Sequence, residues 1–220
     1  MKSELGLGIY TSSDISSILM LPTYKIRRWI NNFWDTHFAE IQNSKYSWGN
    51  GKDKAVNFHT FIEILIFNKL LEHGISYKKI LTAHKTISED FNMSFPFANT
   101  KILASDKNIF YYINNETIIK ADESKQIGIK HILEHFYDRI DFDDDNYAKR
   151  YWPLGKDKSV VIDPKHQFGQ PTINGTNILI DTIIYSYYKG GESLKVIASL
   201  YELKLSQVED AISYMTRKVA

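Results

Sequence analysis

The stretch HTFIEILIFNKLLEHG, residues 59–74, constrains the fold more than any other part of the chain. Phe61, Ile64, Leu65, Leu70 and Leu71 recur at helical spacing, and Gly74 stands where a residue free to take positive φ ends a helix. The pattern predicts a helix from His59 to His73. A second helix follows at once: it starts at Ser76 and runs to about Phe91, with Ile80, Leu81 and Ile87 on its apolar side. Two such helices demand a real core, and 43% hydrophobic residues in a 220-residue chain supply enough for one or two domains.

Shorter elements lie upstream. Thr11 is placed as an N-cap with Asp14 three residues later, a capping box, and Ile15, Ile18 and Leu19 follow at helical spacing. Pro22 breaks that helix and opens another, PTYKIRRWINNFW, with Ile26, Trp29, Ile30 and Phe33 on its apolar face and Lys25, Arg27 and Arg28 off it. Two short helices joined by a turn suggest a helix-turn-helix. In KYSWGNGKDKAVNF, β-prone ends flank a Gly- and Lys-rich tip, the pattern of a small hairpin.

Beyond residue 93 the pattern changes. TKILAS, NIFYYI and ETIIKA read as three short strands of a meander, followed by a helix in GIKHILEHFYDRI, an acidic loop in DRIDFDDDN and an extended run punctuated by Pro153 and Pro164. In FGQPTINGT, Asn174-Gly175 is a strong turn signal, stiffened by Gly169 and Pro171. Two short extended runs should therefore close on a tight corner and feed a helix at about Leu179. Three helices are expected at about 180–189, 193–200 and 206–217, separated by Gly190-Gly191 and by YELKLS. The expected fold is mainly α with small β elements (α+β). A winged helix-turn-helix occupies 1–93, a β-meander plus helix connects over 94–157, and a small three-helix domain with a β-hairpin lead-in fills 158–220.

The net charge of +1 gives no bulk argument for nucleic acid, so any such argument is local. It exists at the front. Between Met20 and Lys54 six residues are basic (Lys25, Arg27, Arg28, Lys45, Lys52, Lys54) and three are acidic (Asp35, Glu40, Asp53), a local net of +3. Thr23 and Tyr24 open the second helix, where base edges or phosphates are met. A helix in the major groove with cations on the backbone phosphates needs this arrangement. The last helix exposes Gln207, Glu209 and Asp210 near its start, which suits the helix dipole and repels phosphate, so it is not expected to read DNA. Tyr185, Tyr187, Tyr188, Tyr201 and Tyr214 make the C-terminal part aromatic-rich, as protein interfaces are, although a small core also uses tyrosine.

The chain has no cysteine, which excludes disulfides and thiolate chemistry and fits a reducing compartment. It shows no signal-peptide pattern and no apolar run near the roughly 18 residues that span a bilayer, so a cytoplasmic, non-membrane protein is expected. HILEH matches a zinc-site pattern through His131, Glu134 and His135, but both histidines lie roughly opposite the apolar face of their helix. DFDDDN resembles the start of a calcium loop yet has Asn146 and Trp152 where glycine and glutamate are required. No GxxxxGK[ST] phosphate loop or nucleophile elbow surrounds the glycine-rich corner. No catalytic residue, metal or cofactor is expected.

Two family resemblances fit these readings. YTSSDISSILMLPTYKIRRWI, the WGNGKDKAVNF hairpin and FIEILIFNKLLEHGISYKKIL resemble the DNA-binding head of MerR-type regulators over about residues 8–91. The resemblance implies a recognition helix with Tyr24, Lys25, Arg27 and Arg28 and a wing with Lys52 and Lys54. Met20 departs from the glycine usual in the turn, and Ser16 from the usual alanine. Residues 158–216, with the fGqP, nGT, GGES and LSQVEDAI pieces in order, are similar to domain-of-unknown-function family four-three-three, which is grouped with VapB-like antitoxins. Asn177 stands where that family usually has arginine. The layout resembles that of two-domain VapB-type antitoxins. It implies an antitoxin that binds operator DNA and a PIN-like toxin. A homodimer is expected because helix-turn-helix proteins usually read two half-sites, and Tyr185, Tyr188, Tyr201 and Tyr214 are the candidate partner-binding residues on their aromatic content. A stand-alone MerR-like regulator sensing a small ligand through the middle segment is the alternative.

Overall fold

The computed structural model describes residues 8–42, 45–99 and 136–217. The expected meander strands and the HILEH segment lie outside the described residues. Two compact units emerge, one within Ile9–Tyr137 and Phe142–Ala148, the other within Asp138–Asp141 and Lys149–Ala220.

In the first unit, α1 (Ser12–Leu19) and α2 (Thr23–Trp29) are joined by a short turn. The chain continues from α2 without a break into a π-helical stretch, Ile30–Phe38, and a last turn α3 (Ala39–Gln42). Ile30, Trp34 and Phe38, four residues apart, are all buried, while Phe33 is only half-buried. A wider turn lines up residues at this spacing, so the inner face drifts away from the 3.6-residue register that the sequence suggests. Beside these helices lies a three-stranded antiparallel sheet in the order β1 (Tyr10–Thr11), β3 (Ala55–Val56), β2 (Ser47–Trp48).

The helix expected from His59 runs over Phe58–Glu72 (α4), N-capped by Asn57, whose side-chain oxygen accepts the N–H of Thr60 at 2.8 Å. It is apolar on all sides and buried on all sides: Phe61, Ile62, Ile64, Ile66 and Phe67 are each 0% exposed. α5 (Tyr77–Phe91) packs against it after Gly74, which adopts φ +80°. One carboxylate sits inside this apolar assembly. Glu63 is fully buried, with Oε2 2.5 Å from His84 Nε2 and Oε1 accepting the backbone N–H groups of Phe97 (2.7 Å) and Ala98 (3.3 Å).

Met20 closes α1 in the left-handed region, at φ 53° and ψ 39°, with half of its side-chain surface exposed. A side chain in this conformation costs roughly 1–2 kcal/mol, while glycine adds back about 0.5–1 kcal/mol of unfolded-chain entropy. Met20→Gly is therefore expected to stabilise the unit by about 0.5 kcal/mol. Urea unfolding measures this. A lower midpoint in the variant would show that methionine contacts outweigh the strain.

A ribbon of β4 (Ile140–Phe142) and β5 (Ala148–Tyr151) comes next. The acidic stretch expected as a loop thus supplies a strand and a tip, because its pairing partner lies further along the chain. At the tip, Asp143 Oδ1 accepts the N–H groups of Asp145 (3.1 Å) and Tyr147 (2.9 Å), so this carboxylate is committed to its own backbone.

In the second unit, β6 (Val160–Val161) pairs antiparallel with β7 (Thr172–Ile173). The Asn-Gly corner follows: Thr176 N–H donates to Ile173 O at 3.0 Å, and Gly175 takes φ +78° while Asn174 keeps a negative φ. The helices α6 (Ile180–Tyr188), α7 (Leu194–Leu200) and α8 (Leu205–Thr216) end within one residue of the spans read from sequence. They enclose a core of Val160, Ile173, Ile180, Ile183, Ile197, Val208, Ala211 and Tyr214. Of the three residues read as exposed at the start of α8, only Glu209 is: Gln207 is half-buried, and Asp210 is buried because it fastens α8 to the start of β6, its carboxylate accepting the N–H of Ser159 (2.8 Å) and pairing with Lys158 (3.3 Å). Asp210→Ala strands that amide in a site only 8% exposed and is expected to cost about 1–3 kcal/mol in the second unit, measurable by urea unfolding.

Candidate functional site

The surface that carries the cationic residues is built by the α1–α2 turn, helix α2 and the β2–β3 hairpin. α1 is anchored by the capping box: Thr11 N–H and hydroxyl both donate to Asp14 Oδ2 (2.8 and 2.7 Å), and Asp14 N–H donates to Thr11 Oγ1 (3.2 Å). The turn is tied by Ser16. Its backbone carbonyl accepts the N–H of Leu21 (3.1 Å), and its hydroxyl donates to Leu21 O (2.5 Å) and accepts from Thr23 Oγ1 (3.0 Å). A serine at this position, rather than alanine, thus fixes where α2 begins, and Thr23 serves the turn.

From this start, α2 presents Tyr24 with 71% of its surface exposed, and Arg28 is exposed one turn later. Lys25 lies over the Trp29 ring, 4.7 Å from its centroid. Arg27 is half-buried, and its Nε makes no hydrogen bond. Among the described residues no carboxylate forms an ion pair with Lys25, Arg27 or Arg28. Lys45, before β2, and Lys52, in the hairpin tip, are also exposed.

Lys54 is different. Its ammonium donates to Asp35 Oδ2 (2.5 Å) and to Asn31 Oδ1 (2.6 Å), and its side chain is 18% exposed. Asp35 also accepts the Ser47 hydroxyl at 2.7 and 2.8 Å. Asn31 and Asp35 sit one turn apart on the π-helical stretch, while Ser47 and Lys54 flank the hairpin. One carboxylate therefore braces both arms of the hairpin against the continuation of α2.

In the second unit the four tyrosines part company. Tyr185 (68% exposed) and Tyr188 (54%) share the outer side of α6. Tyr201 is half-buried with its hydroxyl 3.2 Å from Ser186 Oγ, and Tyr214 is in the core with the Arg217 guanidinium stacked on its ring. Burial raises the Tyr214 hydroxyl above its ordinary pKa, although Arg217 pulls the other way. The most exposed large apolar side chain among the described residues is one that sequence reasoning treats only as part of a corner. Phe168 is 74% exposed. Its turn holds Gln167 at φ 46°, Phe168 at φ 55° and Gly169 at φ 88°, three consecutive residues in the left-handed region, two of them not glycine. Such residues are uncommon and cost of order 1 kcal/mol or more each.

Comparison with known proteins places part of this chain. Residues 160–215 match the family model described as Protein of unknown function (DUF433). The DUF433 match begins at β6, ends in the last turn of α8 and so contains the core of the second unit. A curated protein of Mycobacterium tuberculosis (strain ATCC 25618 / H37Rv), "Putative antitoxin VapB45", is 31% identical over 90 residues. That alignment covers 40% of this chain and 37% of the relative, so it spans little more than a third of the relative's length. The X-ray crystal structure of Rv2018 from Mycobacterium tuberculosis has the same fold: TM-score 0.72 over 92% of this chain and 96% of that one, at 18% identity.

No helix among the described residues is long and apolar enough to cross a membrane. Nor do any three His, Asp or Glu side chains among them group to hold a metal ion. Sequence reasoning missed the Asp35 brace, since Asp35 and Lys54 are 19 residues apart and nothing local links them. It also passed over Glu63, although a lone acid in FIEILIF was a visible signal.

Proposed function

We propose that this protein is the antitoxin of a type II toxin–antitoxin pair. In this reading α1, α2 and the β2–β3 hairpin form a winged helix-turn-helix that binds the protein's own operator as a homodimer, in the cytoplasm. α2 enters the major groove with Tyr24 at the base edges, and Arg28, Lys45 and Lys52 sit on phosphates. The second unit binds and neutralises a PIN-like ribonuclease, and the chain performs no catalysis of its own. The observation that carries the reading is the likeness to an antitoxin over 90 residues. Exposed Arg28, free of ion pairs among the described residues, and exposed Lys45 and Lys52 support its DNA half, and the exposed Tyr185 and Tyr188 support its protein half.

Electrophoretic mobility shift with the DNA upstream of the gene tests the first half: a discrete complex that resists excess unrelated duplex is expected. Equal, weak binding to any duplex would remove it. Co-expression with the product of the adjacent reading frame tests the second: one co-eluting species and loss of that product's ribonuclease activity are expected. Separate elution would end the antitoxin reading.

A further inference from the structure

The turn around Phe168 has the marks of a preformed anchor. The backbone is held left-handed at Gln167, Phe168 and Gly169. Hydrogen bonds lock it: Gly169 N–H to His166 O (2.8 Å), Gln170 N–H to Gln167 O (3.0 Å), Gln167 Nε2 to Asn177 O (3.2 Å) and Lys165 N–H to Asp163 Oδ1 (2.9 Å). Asp163 Oδ2 also holds the His166 ring at 3.2 Å. The product of all this order is an aromatic ring 74% exposed to solvent. A hydrophobic ring gains nothing from being displayed, and an asparagine or glycine would sit in the turn with less strain. Strain kept at an exposed side chain points to use at that side chain. A rigid aromatic projecting from a fixed turn loses little entropy on entering a partner's pocket, which is how interface hot spots act.

The surroundings define the partner. Residues 164–180 contain Lys165 and His166, both exposed, and no carboxylate. Asp163, the acid just before them, is 9% exposed and engaged by Arg150 and His166. Exposed Lys165, three residues before the ring and without an ion pair among the described residues, puts a positive charge on the same turn, which favours a hollow rimmed by carboxylates. The geometry points to Phe168 as the anchor that inserts into an apolar, acid-rimmed hollow on a partner protein, with Lys165 pairing with the rim. The inference rests on the antitoxin reading, in which the partner is a nuclease.

The test uses the full chain and the purified product of the adjacent reading frame, with affinity measured by calorimetry and each variant's melting temperature recorded. Phe168→Ala and Phe168→Asn should each weaken the complex about thirtyfold or more. Phe168→Asn should melt at or above the wild-type temperature, because asparagine tolerates the left-handed region. Phe168→Trp should retain most of the affinity. Lys165→Glu should weaken the complex several-fold, and less so in high salt. A variant that is more stable and yet binds less is a signature that a merely structural residue cannot give. If wild type binds and both truncated variants bind equally well, the anchor is wrong and the antitoxin reading stands. The anchor is also wrong if Phe168→Asn loses binding only in step with a lowered melting temperature. If wild type does not bind the product, the antitoxin reading fails and the anchor falls with it.

Discussion

Glu63→Ala is expected to cost the first unit about 3–5 kcal/mol, because three buried hydrogen-bonding groups lose their partner together. Three donors converge on this carboxylate, which is 0% exposed: the ring of His84 and the amides of Phe97 and Ala98. Alanine would leave all three facing apolar side chains, at roughly 1–3 kcal/mol for each buried group left unmade. His84 cannot turn elsewhere, because its ring is stacked on Phe38 at 3.7 Å and meets the edge of Phe97 at 5.0 Å. Glu63→Gln keeps an acceptor for the two amides and should lose only about 1–2 kcal/mol. Urea unfolding followed by tryptophan fluorescence measures both, since Trp29 and Trp34 are fully buried in the same unit. A loss below about 1 kcal/mol for the alanine variant would mean that water replaces the carboxylate.

Asp35→Ala should act twice. In stability, it leaves the Ser47 hydroxyl, in a residue only 6% exposed, without its acceptor and the Lys54 ammonium, 18% exposed, with Asn31 alone, a loss of about 2 kcal/mol. In DNA binding, its effect appears in the dependence of affinity on salt. Each phosphate contact contributes about 0.9 to the slope of log affinity against log salt. On the proposed reading Lys52 makes such a contact, and Lys54, held by Asp35 and Asn31, does not. Lys52→Ala should thus lower the slope by about 0.9, while Lys54→Ala leaves it unchanged. Asp35→Ala frees an ammonium and loosens the hairpin. It should raise binding to unrelated duplex and reduce the preference for the upstream sequence about tenfold, a shift of roughly 1.4 kcal/mol. Anisotropy titrations over a series of salt concentrations check all three variants. Equal slope losses for Lys52→Ala and Lys54→Ala would show that the brace opens on DNA.

Helix positions were the legible part of this sequence, and the reason is local. α4, α5 and the three C-terminal helices are written in apolar spacing, caps and glycine stops, all of which act within a few residues. The Asn-Gly corner was legible on the same ground, although only Gly175 takes the positive φ. Spacing also failed where its premise failed. Ile26, Trp29 and Ile30 of the face read from spacing are buried, but the reading assumes a constant turn, and in the π-helical stretch burial passes from half-buried Phe33 to Trp34 and Phe38. The candidate site was half legible. Side-chain charge is printed in the sequence, so exposed Arg28 and Lys52 could be named. Whether a lysine is spoken for depends on a carboxylate far away in the chain, so Lys54 could not be told from Lys52. The tyrosines show the same limit: Tyr185 and Tyr188 face out while Tyr214 fills the core, and composition alone treats them alike.

The burial of α4 on every side carries a practical consequence for anyone dividing this chain. A fragment ending shortly after α5 would seem a natural choice for isolating the front module. It would delete Phe97 and Ala98, both 0% exposed, and with them the amides that satisfy the acid inside α4. Such a truncation uncovers apolar surface around a carboxyl group that has lost its two amide donors, and insoluble expression is the expected outcome. Work on the front module is better done by substitution within the intact polypeptide.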